Sequence, residues 1–370
     1  MAETELKRTP LHDRHVEMGA KMVPFGGWDM PVRYHGDIVE HNAIRENVGM
    51  FDVSHMGEFE VKGENALAFL QRLTTNDIGN LQVGRAQYSV ICNENGGIID
   101  DILVYLYKDK YVVVVNAAKI DEDWKWFNMQ AAGYDIELKD KSAETILLAV
   151  QGRNSLPLIQ GLTDVDIGSL KRFKFSQGRV AGIDTTISRT GYTGEPIGFE
   201  LFANAGNAVE LYSALIAAGN QYGMELCGLG ARDSLRLEAC LMLNGMDMSP
   251  SINPLEAGLH KWVKLDKGEF IGAEALRKSM AGGLEKTLVG FAMTDKASRP
   301  PRHDYDLRTI DGVTIGKVTS GGPSITTGKG IGMGYVPAGF SIVGTQLLVD
   351  IRGTDSPTMV VDRPFYNPIK

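Results

Sequence analysis

Asp101-Ile-Leu-Val-Tyr-Leu-Tyr107, Lys108-Asp109-Lys110 and Tyr111-Val-Val-Val-Val-Asn116 read as two strands around a charged break. β-Branched and aromatic side chains suit a pleated, half-buried surface, and the three charged residues between the runs suit a turn. With Tyr107–Lys110 as a four-residue loop, the register of this hairpin pairs Asp101 with Asn116, side chains on one face. Upstream lies Gly96-Gly-Ile-Ile-Asp-Asp101. Two consecutive acids at a strand entrance point to opposite faces. Either this is an exposed turn with two surface acids, or one carboxylate faces inward, where it needs partners or a ligand.

Further strands are expected at 57–62, 145–150, 185–189, 199–203, 287–293 and 346–351. Helices are expected at 65–73, with an apolar face of Ala66, Leu67, Phe69, Leu70 and Leu73, and at 120–131, 207–218 and 231–241. The 120–131 helix carries Asp121, Glu122 and Asp123 in its first turn, where the positive end of the helix dipole favours acids. Helices alternating with antiparallel hairpins give an α+β fold rather than a doubly wound parallel sheet. From about Leu284 the helical pattern stops, and Gly- and Pro-broken short strands predict an all-β C-terminal domain, a small barrel or jelly roll.

At 370 residues the chain has room for two or three domains. With 43% hydrophobic and 23% charged residues it has a globular composition. No apolar run approaches the roughly 18–20 residues of a membrane span. The acid-bearing start, without an apolar h-region, reads as cytoplasmic rather than as a signal or transit peptide. The three cysteines, Cys92, Cys227 and Cys240, are too few and too scattered for a disulfide framework or a CxxC zinc site. A net charge of −8 argues against a nucleic-acid partner, yet residues 261–370 hold 15 Lys and Arg against 11 Asp and Glu. That local excess fits an acidic partner, or ordinary scatter between domains.

Several motifs lead nowhere. Gly328-Lys-Gly-Ile-Gly-Met-Gly334 continues into Tyr335-Val-Pro337 instead of a helix, so it lacks the context of a dinucleotide loop. Gly191-Tyr-Thr-Gly-Glu195 lacks the Gly-Lys-Ser/Thr of a P-loop. His12 and His15 read as packing residues rather than metal ligands, and no Gly-x-Ser-x-Gly elbow is present. Arg232 and Arg236 sit one helical turn apart, able to hold a carboxylate-bearing ligand or to pair with Asp233 or Glu238.

Taken together, an ordered set of motifs resembles the aminomethyltransferase (T-protein) family of the glycine cleavage system. The set is Lys21-Met-Val-Pro-Phe-Gly-Gly-Trp28 with Met30-Pro31, Phe51-Asp-Val-Ser-His-Met56, Gly96-Gly-Ile-Ile-Asp-Asp101, Gly191-Tyr-Thr-Gly-Glu195, Gly230-Ala-Arg-Asp-Ser-Leu-Arg-Leu-Glu238, Val318-Thr-Ser320 and Met333-Gly-Tyr-Val-Pro337. It runs from about Thr9 to the C-terminus.

The resemblance implies a three-domain cloverleaf of mixed and antiparallel sheets. Residues 1–50 with about 140–250 would form a discontinuous first domain, about 51–139 a second carrying the Asp101 hairpin, and about 251–283 a connection. A C-terminal barrel would follow over about 284–370. It implies a reaction of tetrahydrofolate with the aminomethyl group on the dihydrolipoyl arm of lipoylated H-protein, without a metal. Asp101 matches the catalytic carboxylate and is expected to face inward, with Asp100 on the opposite and less sensitive face. Met56, Val114, Asn116, Tyr192, Glu200 and Arg232 match folate-contacting positions, as does Glu195, which closes its motif. Arg302 approximates an arginine that handles the lipoyl arm. Between Glu195 and Glu200 the chain reads one residue longer than the family spacing, so the Glu200 match requires that loop to bulge without moving the strand. The alternatives are a folate-dependent demethylase of the same fold acting on a small methyl donor, and a non-catalytic folate-binding regulator.

Overall fold

The hairpin forms with the expected turn: Tyr107 N–H donates to the Lys110 carbonyl at 2.8 Å. Strand Ile98–Leu106 pairs antiparallel with Tyr111–Val115, from Leu103 opposite Val114 to Leu106 opposite Tyr111. The computed structural model describes residues 5–295 and 298–368.

The chain divides into two units, one of Met1–Phe69, Ile78–Tyr88 and Ile102–Asp233, the other of Leu70–Asp77, Ser89–Asp101 and Ser234–Lys370. The first contains a six-stranded sheet in the order Phe175–Val180, Ile183–Ser188, Gly198–Asn204, Thr145–Gln151, Val48–Asp52, Met224–Leu226. Its pairs are antiparallel except the last, where Met224–Leu226 runs parallel to Val48–Asp52. Alternate residues Ile146, Leu148 and Val150 join Phe199, Leu201 and helix residues Leu211 and Leu215 in one core. The strand period of two and the helical repeat of about 3.6 bring these positions to a common face. A five-stranded sheet runs Arg85–Cys92, Ile98–Leu106, Tyr111–Val115, Gly57–Lys62, Glu137–Asp140.

In the second unit the C-terminal strands close into a six-stranded barrel, in the order Lys286–Met293, Gly330–Pro337, Thr314–Pro323, Asp306–Arg308, Gln346–Ile351, Thr354–Val361. Closure removes the sheet edges that short glycine-rich strands would otherwise expose. The fold is thus α+β with an all-β C-terminal barrel, as expected. The expected helices are found as Ala66–Leu73, Ile120–Gln130, Ala208–Gly219 and Leu229–Glu238. Helix Ala273–Gly282 was not anticipated: its N-cap is glycine and it buries only Ala273 and Leu276, leaving a weak sequence pattern. Among the described residues no helix is long and apolar enough to cross a membrane.

Both early histidines are packing residues, in polar company. His12 Nε2 lies 2.9 Å from Asp29, and His15 Nε2 lies 2.8 Å from the buried Asp52 carboxylate. Asp52 also accepts bonds from Thr9 Oγ1 (2.7 Å), Ser54 N (2.9 Å) and Ser54 Oγ (2.6 Å). Burial pushes the Asp52 carboxyl up, but the bonds from His15, Ser54 and Thr9 outweigh it and hold it below the ordinary 3.8. Stripping one partner from such a buried pair typically costs about 3–5 kcal/mol, and His15→Ala should lose that much at neutral pH. A depressed folded-state pKa contributes stability above the unfolded value, which is lost as pH falls through the folded value. In urea melts the gap between wild type and His15→Ala should therefore close below about pH 4. A gap that stays constant on acidification would count against Asp52 as the group His15 serves.

Candidate functional site

In the first unit, Glu200 lies on strand Gly198–Asn204, opposite Ser188 on one side and Ala149 on the other. Its pairing is unbroken from Gly198 to Asn204, so the strand carrying Glu200 is regular after the loop that precedes it. That loop closes over Gln151. A Cβ at Gly191 would fall 2.0 Å from Gln151 Oε1 and one at Gly198 2.5 Å from it, so either would displace the Gln151 amide. Gln151 Nε2 donates to the Thr190 carbonyl (3.2 Å) and the Phe199 carbonyl (3.3 Å), while Thr193 Oγ1 donates to Gln151 Oε1 (3.0 Å).

Thr190 Oγ1 donates to Glu200 Oε2. The Ser188 hydroxyl lies 2.9 Å from Thr190 Oγ1 and donates to Tyr105 Oη at 3.3 Å. Burial raises the Glu200 carboxyl, while the Thr190 bond and the Arg232 charge pull it back without cancelling the rise. The Arg232 guanidinium lies 4.6 Å from the centroid of the Tyr192 ring, a cation–π stack. Met56 and Val114 meet in one apolar cluster with Tyr105 and Phe175. Asn116 follows strand Tyr111–Val115, and its carbonyl accepts from Lys119 N at 2.8 Å. Glu195 is engaged elsewhere: Arg45 Nη1 holds its carboxylate at 2.7 Å, with both side chains nearly enclosed.

His55 was not singled out in the sequence. It is buried, with no hydrogen-bond partner for Nδ1 among the described residues, and it meets Phe25 edge-on at 5.9 Å between centroids. Burial and then the Arg232 charge lower its pKa to about 4, against a smaller upward pull from Asp52. The imidazole is therefore neutral at physiological pH. Gln151, Thr190, Ser188 and Tyr105 were missed as well, because nothing local marks a strand-end Gln as a partner of the carbonyls of Thr190 and Phe199, or Thr190 as the donor to a carboxylate ten positions away.

In the second unit, Gly97 explains the Gly-Gly of its motif, since a Cβ there would sit 1.8 Å from the Pro250 carbonyl oxygen. The two acids that follow do not face as expected. Asp100 is the wholly buried one, and its Oδ1 accepts from Asn244 Nδ2 at 2.8 Å. Asp101 is half-exposed. Pleat alternation separates the two acids but cannot say which face is covered. The two arginines of helix Leu229–Glu238 also part: Arg236 Nη1 pairs with Asp247 (2.8 Å) and Ser320 Oγ (2.9 Å). Glu238 instead accepts from Ser324 Oγ (2.8 Å), Thr326 N (2.9 Å) and Thr326 Oγ1 (2.7 Å). Arg302 is exposed beside the barrel strand Thr314–Pro323.

Chemically, the first unit offers a carboxylate, a guanidinium stacked on a phenol, and an apolar cluster that includes Met56 and Val114, chemistry suited to a planar heterocycle. Arg232 disfavours the charged form of His55 and favours the charged form of Glu200. Its replacement by Met should therefore raise both pKa values. In an NMR pH titration the His55 ring should move upward from about 4. An unchanged His55 midpoint would refute the coupling.

The family model described as the GCVT N-terminal domain matches residues 11–267, and that of the glycine cleavage T-protein C-terminal barrel domain matches residues 286–367. The aminomethyltransferase of Symbiobacterium thermophilum is 47% identical, with 98% of this chain and 97% of that one covered. That of Geobacillus thermodenitrificans is also 47% identical, with 99% and 100% covered. A crystal structure of glycine cleavage system aminomethyltransferase T from Bartonella henselae matches with a TM-score of 0.91 at 33% identity, covering 98% of each chain. Matched along both of its family segments and over nearly its whole length, the chain belongs to the aminomethyltransferases of the glycine cleavage system, the T-protein family.

Proposed function

We propose that this aminomethyltransferase takes the aminomethyl group from the dihydrolipoyl arm of lipoylated H-protein and passes its carbon to tetrahydrofolate. The products are 5,10-methylenetetrahydrofolate, ammonia and dihydrolipoyl H-protein. The carbon's bonds to sulfur and to the amine nitrogen break, and two bonds to N5 and N10 of the folate form. The two protons leaving N5 and N10 end on ammonia and on the thiol, so the reaction is redox-neutral.

The observation that carries the reading is the group formed by Glu200, Arg232 and Tyr192. A pterin presents an amide and amino edge, which a carboxylate and an Asn side chain complement as acceptor and mixed donor–acceptor. Glu200 and Asn116 take those roles, with Tyr192 beside them. Met56 and Val114 supply apolar contact for the ring. Arg232, always charged, suits an anionic portion of the folate. Asp101 is the catalytic carboxylate: it orients the folate nitrogens and stabilises the iminium-like cation at the transferring carbon. Arg302 meets the lipoyl-bearing carrier.

Two experiments test this. Offered tetrahydrofolate with aminomethylated H-protein, and separately with a small methyl donor, the enzyme should release ammonia only with the first. Product from the small donor alone would favour the demethylase reading. Asp101→Asn should lower single-turnover ammonia release by about 10²–10⁴-fold, the usual worth of such a group, and leave the folate Kd nearly unchanged. Asp100→Asn, which alters a wholly buried acid bonded to Asn244, should appear mainly as a lower melting temperature. Near-wild-type turnover in Asp101→Asn would remove Asp101 from the mechanism.

A further inference from the structure

Arg302 follows two prolines, Pro300 and Pro301, and this strap crosses barrel strands at their glycines. A Cβ at Gly321 would stand 2.9 Å from the Pro301 carbonyl oxygen, 3.0 Å from its carbon and 3.2 Å from its Cβ. One at Gly330 would lie 3.3 Å from both Pro300 Cα and Pro301 Cδ. Just beyond Arg302 the chain is tied to the same strand. Asp304 N–H donates to the Val318 carbonyl (2.8 Å), Val318 N–H to the Tyr305 carbonyl (2.8 Å), and His303 Nδ1 lies 2.7 Å from the Thr319 carbonyl. Pro301 is buried while Arg302 is exposed, its Nη1 3.7 Å from where a Cβ of Gly322 would stand. No ion pair of Arg302 is found among the described residues.

We propose that Gly321 is a positioning residue for the aminomethyl carrier: its bare backbone seats the Pro300–Arg302 strap and thereby sets where the Arg302 guanidinium stands. The inference rests on the reading of Arg302 as the carrier-binding arginine. Proline fixes φ near −65° and restricts the residue before it, so the strap transmits a shift instead of absorbing it. Contact below 3.0 Å with a backbone carbonyl cannot be relieved by turning a side chain. A methyl group at position 321 therefore lifts Pro301 and carries Arg302 with it.

The test uses the full-length enzyme, with aminomethylated H-protein as the varied substrate at saturating tetrahydrofolate. Gly321→Ala should raise the KM for the carrier about tenfold, the scale of one charge-assisted hydrogen bond, as should Arg302→Ala, with the folate Kd unchanged in both. The double variant should be no worse than Arg302→Ala alone, because both changes remove one interaction. Pro300→Gly, which loosens the strap without touching the barrel, should raise the same KM even if Gly321→Ala proves unstable. Gly339→Ala, in open space, should behave as wild type. Normal carrier KM in Gly321→Ala and Pro300→Gly beside a raised KM in Arg302→Ala would overturn the positioning role alone. Additive losses in the double variant, or an equal rise in folate Kd, would overturn it as well. A normal KM in Arg302→Ala would remove the carrier-binding reading and the inference with it.

Discussion

The buried carboxylate of Asp52 is the constraint on which the first unit's site depends. It ends strand Val48–Asp52 and is bonded by Thr9 and His15 from the N-terminal segment and by both the amide and the hydroxyl of Ser54. Ser54 Oγ in turn accepts from Leu147 N–H at 3.0 Å on the neighbouring strand. A desolvated charge costs several kcal/mol unless its lone pairs are satisfied, so this set of donors tolerates little displacement. The next residues along the chain are His55 and Met56. Their positions follow from a turn whose first residues are fixed by one carboxylate, which gives a physical account of the Asp-Val-Ser-His-Met run.

Arg232 then sets the electrostatics. One cation stabilises the ionised form of Glu200 and destabilises the protonated form of His55, while burial pushes the two groups in opposite senses. Burial and Arg232 agree on a neutral His55, and at Glu200 they oppose each other. The carboxyl is left with a raised pKa and a hydroxyl donor, a balance that a ligand's own donors can tip toward the anion. Tyr105 extends the same network, through Ser188 and Thr190, to the apolar cluster that holds Met56 and Val114.

How much of this was legible follows from the range of each interaction. The hairpin could be read locally, because β-branched runs and a four-residue loop fix both its strands and its register. The ordered motifs identified the family, and the resemblance singled out Met56, Val114, Tyr192, Glu200 and Arg232 as candidate site residues. The residues that hold them in place could not be read, since Tyr105 and Thr190 are 85 positions apart and Gln151 and Thr190 are 39 apart. The Asp100–Asp101 pair shows another boundary: alternation separates two faces, but which face is covered depends on Asn244, 144 residues downstream of Asp100. The Arg232–Arg236 pair is similar, because helical spacing set them on one side while Tyr192 and Asp247 decided what each one does.

Glycine shows why composition alone misleads. The run Gly330-Ile-Gly-Met-Gly334 invites comparison with a phosphate loop, yet it is the start of barrel strand Gly330–Pro337. Its glycines recur at the strand period of two and so share one face. A Cβ at Gly332 would stand 2.5 Å from Phe291 Cζ, and one at Gly334 would stand 2.5 Å from the Lys317 carbonyl oxygen. Side chains are excluded there because a ring and a neighbouring backbone already occupy the space. The alternating residues Ile331 and Met333 are buried on the other face. An anion-binding loop needs glycine so that consecutive N–H groups can converge on a ligand at a helix start. In this strand those N–H groups are committed to antiparallel partners on both sides, so the alternating glycines report close packing of the barrel and no nucleotide.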